Sequence, residues 1–113
     1  MIADAATDRP LGLLNLQFGE DEDVAGLAVS VFPQARGRGV ASKALRLGAT
    51  WGLHELGLHR VFAEAAADNP ASIRAIEKAG FQREGILRAH CKTRGRRHDC
   101  VMFSLLPREI DPR

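Results

Sequence analysis

Between residues 36 and 42 the chain reads Arg36-Gly37-Arg38-Gly39-Val40-Ala41-Ser42 and runs directly into a helical pattern. The first turn of a helix carries amides without intrahelical partners and lies at the positive end of the helix dipole, so such a junction suits an anion and a pyrophosphate in particular. Glycine at 37 and 39 lets a ligand approach the backbone and permits positive φ. A Walker A loop would need Gly-Lys-Ser/Thr, which is absent. A dinucleotide fingerprint would want glycine or alanine where Ser42 stands, and an acidic residue at the end of the next strand. Two arginines interleaved with glycines serve no packing purpose, which weighs against a turn without a ligand.

A second group lies further on. Asp68-Asn69-Pro70 opens another helix, with Asn69 placed to cap it and Pro70 suited to its first turn; Ser72 follows inside that turn. His54 and His59 fall at a helix end and a strand start. Cys91 and Cys100 lack C-x-x-C spacing, so no metal site is expected, and in a cytosolic setting a reduced pair is expected rather than a disulfide.

The elements that must position these residues follow from pattern. Residues 11–18 and 24–32 read as two strands joined by the acidic turn Gly19-Glu20-Asp21-Glu22-Asp23, and Pro33 ends the second because it offers no amide hydrogen. From Val40 or Ala41, the residues Ala41, Ala44, Leu45, Gly48, Trp51, Gly52 and Leu56 recur at helical spacing, and Gly57 supplies the stop. Residues 60–67 read as a strand with Val61, Ala63, Ala65 and Ala67 on one side. Ile73, Ile76 and Ala79 stripe the second helix, which Gly80 ends. Residues 81–92 and 99–106 pair as a hairpin whose turn centres on Gly95-Arg96 as type II′, setting Cys91 opposite Cys100. The order is strand, strand, helix, strand, helix, strand, strand.

The chain has 113 residues, 45% apolar and 27% charged, which fits a single domain spanning residues 1–113. No stretch approaches the roughly 18 apolar residues of a membrane span, so a soluble, cytoplasmic protein is expected. The net charge of +2 is unevenly distributed: Asp4, Asp8, Glu20, Asp21, Glu22 and Asp23 face only Arg9 in the first 35 residues, whereas Arg83, Arg88, Lys92, Arg94, Arg96 and Arg97 face Glu84 alone in residues 83–97. That basic hairpin reads as a solvated face or as attraction for a polyanion; nucleic-acid or ribosome binding is disfavoured by the lack of interleaved aromatics.

Two motifs together resemble a known family. Arg36-Gly37-Arg38-Gly39-Val40-Ala41 matches the Q/R-x-x-G-x-G/A signature of GCN5-related N-acetyltransferases (GNAT), and Asn69 to Phe81 resembles the Asn-x-x-Ser to Glu-Lys-x-Gly-Phe segment of the RimJ/RimL-like branch. Glu84-Gly85-Ile86-Leu87-Arg88, Gly95, Asp99 and residues 103–106 continue the likeness, which covers roughly residues 11–109. It implies an α/β (α+β) fold with a mixed sheet, and acetyl transfer from acetyl-CoA to a primary amine, either a protein N-terminal amine or a small molecule.

The same resemblance implies roles. Backbone groups of Val29 and Val31 would pair with the pantetheine arm as an added strand, amides of residues 37–42 would hold the pyrophosphate, and Asn69 would bond the cofactor near its arm. An amide near Val31 would face the oxyanion, and Ser72 would protonate the departing thiolate. The tyrosine that many members place seven residues after the asparagine is Ile76 here, and the chain has no tyrosine. The acidic residue of some members falls at Cys91; His90 is adjacent, but strand neighbours point to opposite faces.

Family domains usually open with a strand and two helices that shape the acceptor pocket, for which the first ten residues leave no room. The exposed edge at Leu11 that follows predicts self-association, such as a homodimer, or N-terminal truncation; a monodisperse monomer in light scattering would count against it. The rival function is a degenerate, non-catalytic CoA-binding or interaction module.

Overall fold

The computed structural model describes residues 2–3, 10–32 and 36–111. Its elements are β1 (Ile2–Ala3), β2 (Pro10–Phe18), β3 (Val24–Val31), α1 (Val40–Glu55), β4 (Arg60–Ala66), α2 (Pro70–Lys78), β5 (Gln82–Thr93) and β6 (Arg96–Leu105), with a 3-10 turn at Pro107–Glu109. The strands form one mixed sheet in the order β1-β2-β3-β4-β6-β5. Every pairing is antiparallel except β3 with β4, which run parallel because α1 crosses between them. This is the expected α/β architecture with one addition: Ile2–Ala3 pairs with Pro10 and Gly12, so the edge expected to be bare at Leu11 is partly covered. Pro33 and the two residues after it lie outside the described residues.

Alternation decides which face of the sheet is buried. Val61, Ala63 and Ala65 of β4 and Val101, Phe103 and Leu105 of β6 are buried with Leu45, Ala49 and Leu53 of α1 and Ile76 of α2 in one core. Phe62, Glu64 and Ala66 therefore occupy the opposite face. On α1 the buried residues are Ser42, Ala44, Leu45, Ala49, Gly52 and Leu53, so Ala44, Leu45 and Gly52 of the expected stripe face the core and Ser42, Ala49 and Leu53 join them. Trp51 is 54% exposed and Leu56 45%, so these two members of the expected stripe lie at the surface. Small residues at 48 and 52 let the helix lie close to the side chains of Leu14, Leu27 and Leu58.

Gly12 has a comparable role within the sheet. A methyl group there would overlap the carbonyl oxygen of Ser30 on the paired strand, and a backbone atom in mid-sheet has little room to move. Gly12→Ala is expected to destabilise the fold by about 1–3 kcal/mol, the usual penalty of overpacking. A thermal melt by circular dichroism would detect it as a drop of several degrees; an unchanged melt would show that the strands slide apart without penalty.

The C-terminal hairpin differs from expectation in two places. Its turn centres on Arg94-Gly95, with φ 53° and 78°, closed by the Thr93 and Arg96 pair. Positive φ at both central residues is the type I′ pattern, whose twist matches that of the strands, so the turn falls one residue earlier than the type II′ reading. The register also shifts between Leu87 and Cys91: Leu87 pairs with Cys100 and Cys91 with His98, leaving residues 88–90 opposite Asp99. Ala89 takes φ 52° in this bulge, and its amide donates to Asp99 Oδ1 at 2.9 Å. Cys91 is thus not directly opposite Cys100, yet their Cα atoms lie 5.3 Å apart and the structure joins them in a disulfide, contrary to the expected reduced pair.

Candidate active site

The parallel pairing of β3 and β4 is short. Val24, Ala25 and Gly26 pair with Arg60, Val61 and Phe62, and beyond that point β3 stays with β2 through Val31 while β4 stays with β6. The two strands part and a cleft of about 920 Å³ opens between them. The amide of Phe32 donates to Leu11 of β2 at 2.8 Å. Backbone direction alternates along a strand, so the N–H and C=O groups of Val31 and Val29 point the other way, into the gap left by β4. Arg36 reaches back to this edge, its Nε donating to the Val31 carbonyl at 3.4 Å.

The N-terminus of α1 closes one end of the cleft. Gly37 and Gly39 have φ 80° and 73°, and Gly39 is the N-cap, with no side chain capping the helix. The Ser42 hydroxyl bonds back to the Gly39 carbonyl at 3.1 Å, so only its amide remains for a ligand. By contrast α2 is capped, Asn69 Oδ1 accepting from the Ser72 amide at 3.3 Å. One helix start is satisfied internally and the other presents its first-turn amides to the cleft. Asn69 keeps its side-chain NH₂ for other partners, and the Ser72 hydroxyl makes no hydrogen bond among the described residues.

The residues singled out from sequence converge. Val29, Val31, Arg36, Gly37, Gly39, Val40, Ala41, Ser42, Asn69 and Ser72 all line the cleft. Arg38 does not; it lines an adjoining depression of about 690 Å³ with Lys43, Arg46 and Lys78. Sequence spacing did not single out Arg74 and Lys78, one turn apart on α2, which add positive charge to the cleft wall. It also missed Glu64, the one acidic side chain lining the cleft among the described residues. Within β4 Glu64 falls on the side opposite the buried Val61, Ala63 and Ala65, a position that alternation alone gives to any exposed residue. His90 Nε2 lies 3.2 Å from Glu64 Oε2. The bulge at residues 88–90 brings His90 round to the side where Cys91 lies, overturning the expectation that strand neighbours diverge there. Neither His54 nor His59 lines the cleft: His54 Nε2 lies 3.0 Å from the Asp111 carbonyl oxygen, and the His59 backbone amide donates to the Asp23 carbonyl at 2.8 Å.

A forked sheet, an open helix start and a charge-polarised cleft can be compared with known proteins. The family model described as "Acetyltransferase (GNAT) domain" matches residues 1–82. The chain belongs to the GNAT acetyltransferase family. Among GNAT relatives it is 41% identical over 73 residues to the uncharacterized N-acetyltransferase p20 of Bacillus licheniformis, covering 65% of this chain and 41% of that one. It is 40% identical over 73 residues to the putative ribosomal N-acetyltransferase YdaF of Bacillus subtilis, covering 65% and 40%. The chain therefore spans about two-fifths of the length of these relatives. A GNAT-family acetyltransferase structure from Bacillus anthracis superposes with TM-score 0.84 at 23% identity, over 92% of this chain and 63% of that one, which shows the shared fold. No described helix is long and apolar enough to cross a membrane.

Proposed function

We propose that this GNAT domain transfers the acetyl group of acetyl-CoA to a primary amine, as a RimJ/RimL-like member acting on a protein N-terminal amine or a small molecule. The observation that carries this reading is the parting of β3 from β4, which leaves the Val29 and Val31 backbone edge facing a cleft that ends on the uncapped start of α1. A pantetheine arm with alternating amides would pair with that edge as an added strand. Its pyrophosphate would meet the amides of residues 37–42, with Arg36, Arg38, Lys43 and Lys78 around it. Asn69 would bond the arm through its free NH₂.

The thioester then lies between the two carboxyl-terminal ends of the fork. The amine must lose a proton before or during attack, and Glu64 is the group placed to accept it, directly or through a water. The Val31 amide would stabilise the oxyanion of the tetrahedral intermediate, and the Ser72 hydroxyl would give its proton to the departing thiolate. Self-association and a cytoplasmic setting belong to the same proposal. The name of one relative, putative ribosomal N-acetyltransferase, keeps a protein amine among the candidate acceptors.

The test is a calorimetric titration with acetyl-CoA, followed by thiol release across a panel of amines. Saturable binding and amine-dependent thiol release are expected. Absence of binding would sink the proposal. Binding without thiol release would favour a non-catalytic CoA-binding module, a reading supported by the lack of any tyrosine in the chain.

A further inference from the structure

Three zinc-type ligand atoms gather on the face of the sheet away from the core. The sulfurs of Cys91 and Cys100 and a carboxylate oxygen of Glu64 all lie within 4.8 Å of one another. A fourth group stands beside this set, His90, whose Nε2 is 3.2 Å from Glu64 Oε2. The sheet itself places them there. Glu64 pairs with Met102 and Ala66 with Cys100, so Glu64 and Cys100 share a face on neighbouring strands. The bulge in β5 then brings Cys91 to both and His90 to Glu64.

We propose that in its dithiol state the protein binds one zinc ion through Cys91, Cys100, Glu64 and His90. Two thiolates, an imidazole and a carboxylate suit tetrahedral zinc. Bond lengths of about 2.0–2.3 Å put ligand atoms roughly 3.3–3.8 Å apart, so once the disulfide opens the two sulfurs part around the ion, the Glu64 carboxylate already lies within reach of both, and His90 turns in from beside Glu64. The disulfide and the metal are mutually exclusive. A dithiol reductant supplies two electrons and two protons to open the Cys91–Cys100 bond and leaves as its own disulfide, and zinc binding then releases the two thiol protons. His90 binds as the neutral imidazole and Glu64 as the carboxylate. A consequence, resting on the proposed acetyl transfer, is that the ion competes with the amine for Glu64.

Cobalt(II) serves as the probe because thiolate ligation gives it an intense near-ultraviolet charge-transfer band. The reduced protein is expected to show that band at one equivalent of cobalt and to lose it on adding zinc. The oxidised protein should show none. Cys91→Ser, at the half-buried position, should remove most of the band while keeping the fold by circular dichroism. Glu64→Gln and His90→Ala should each weaken affinity by at least about tenfold. Absence of the band in reduced protein at saturating cobalt would overturn the proposal, as would a band that survives Cys91→Ser or an affinity indifferent to both Glu64→Gln and His90→Ala. These are optical readouts of binding, so they stand whether or not the chain transfers acetyl groups.

Discussion

Gly39→Glu is expected to lower the affinity for acetyl-CoA by at least about a hundredfold in calorimetry. Two effects act together at this position, and a second variant separates them. Gly39 has φ 73°, a conformation that costs an ordinary residue about 1–2 kcal/mol. A Cβ there meets no protein atom within 4 Å, so the free protein accommodates it. Gly39→Ala should therefore lose only several-fold, from backbone strain. The remaining loss belongs to charge. A carboxylate about 4 Å from a phosphate interacts by roughly 4 kcal/mol at an effective dielectric of 20, and less at an exposed site. Raising the salt concentration should recover part of the Glu variant's deficit, because salt screens exposed charges, and none of the Ala variant's. Equal losses in both variants would make the turn's conformation the whole effect. Unchanged affinity in both would place the pyrophosphate elsewhere.

The loop at residues 36–42 was legible because its signal is local. Positive-φ glycines, the following helix and the absence of a capping side chain are all properties of consecutive residues, and all are seen at Gly37 and Gly39. Asn69 as the α2 cap was legible for the same reason. The cleft itself was not, because it arises from where two strands cease to pair, and pairing extent between Gly26 and Phe62 depends on contacts 36 residues apart. Glu64 went unnoticed for that cause: within β4 it reads as an ordinary exposed residue, and only the fork gives it a neighbourhood. The hairpin shows the same limit more sharply. Its existence was plain from the flanking strands, but the bulge at residues 88–90 depends on the Asp99 carboxylate taking the Ala89 amide across the ladder. That one contact changes which way His90 faces.

Glu64→Gln is expected to reduce kcat for acetyl transfer by about 10²–10⁴-fold, the usual contribution of a positioned general base. Glutamine keeps the shape and a hydrogen-bonding oxygen for His90, so the fold should be retained. Affinity for acetyl-CoA should hardly change, since Glu64 lies on β4 while the basic residues that would hold the phosphates lie on the turn, α1 and α2. The measurement must be made with a chelator present, so that a loss through metal binding is not mistaken for one through proton transfer. A lower kcat alone would not separate a base from a residue that merely shapes the cleft. Amine basicity does separate them. An amine that is already neutral at the assay pH has less need of a base, so the defect of Glu64→Gln should shrink as the acceptor becomes less basic. A structural role would give the same defect for every amine in the series, and an undiminished kcat would move the proton to water.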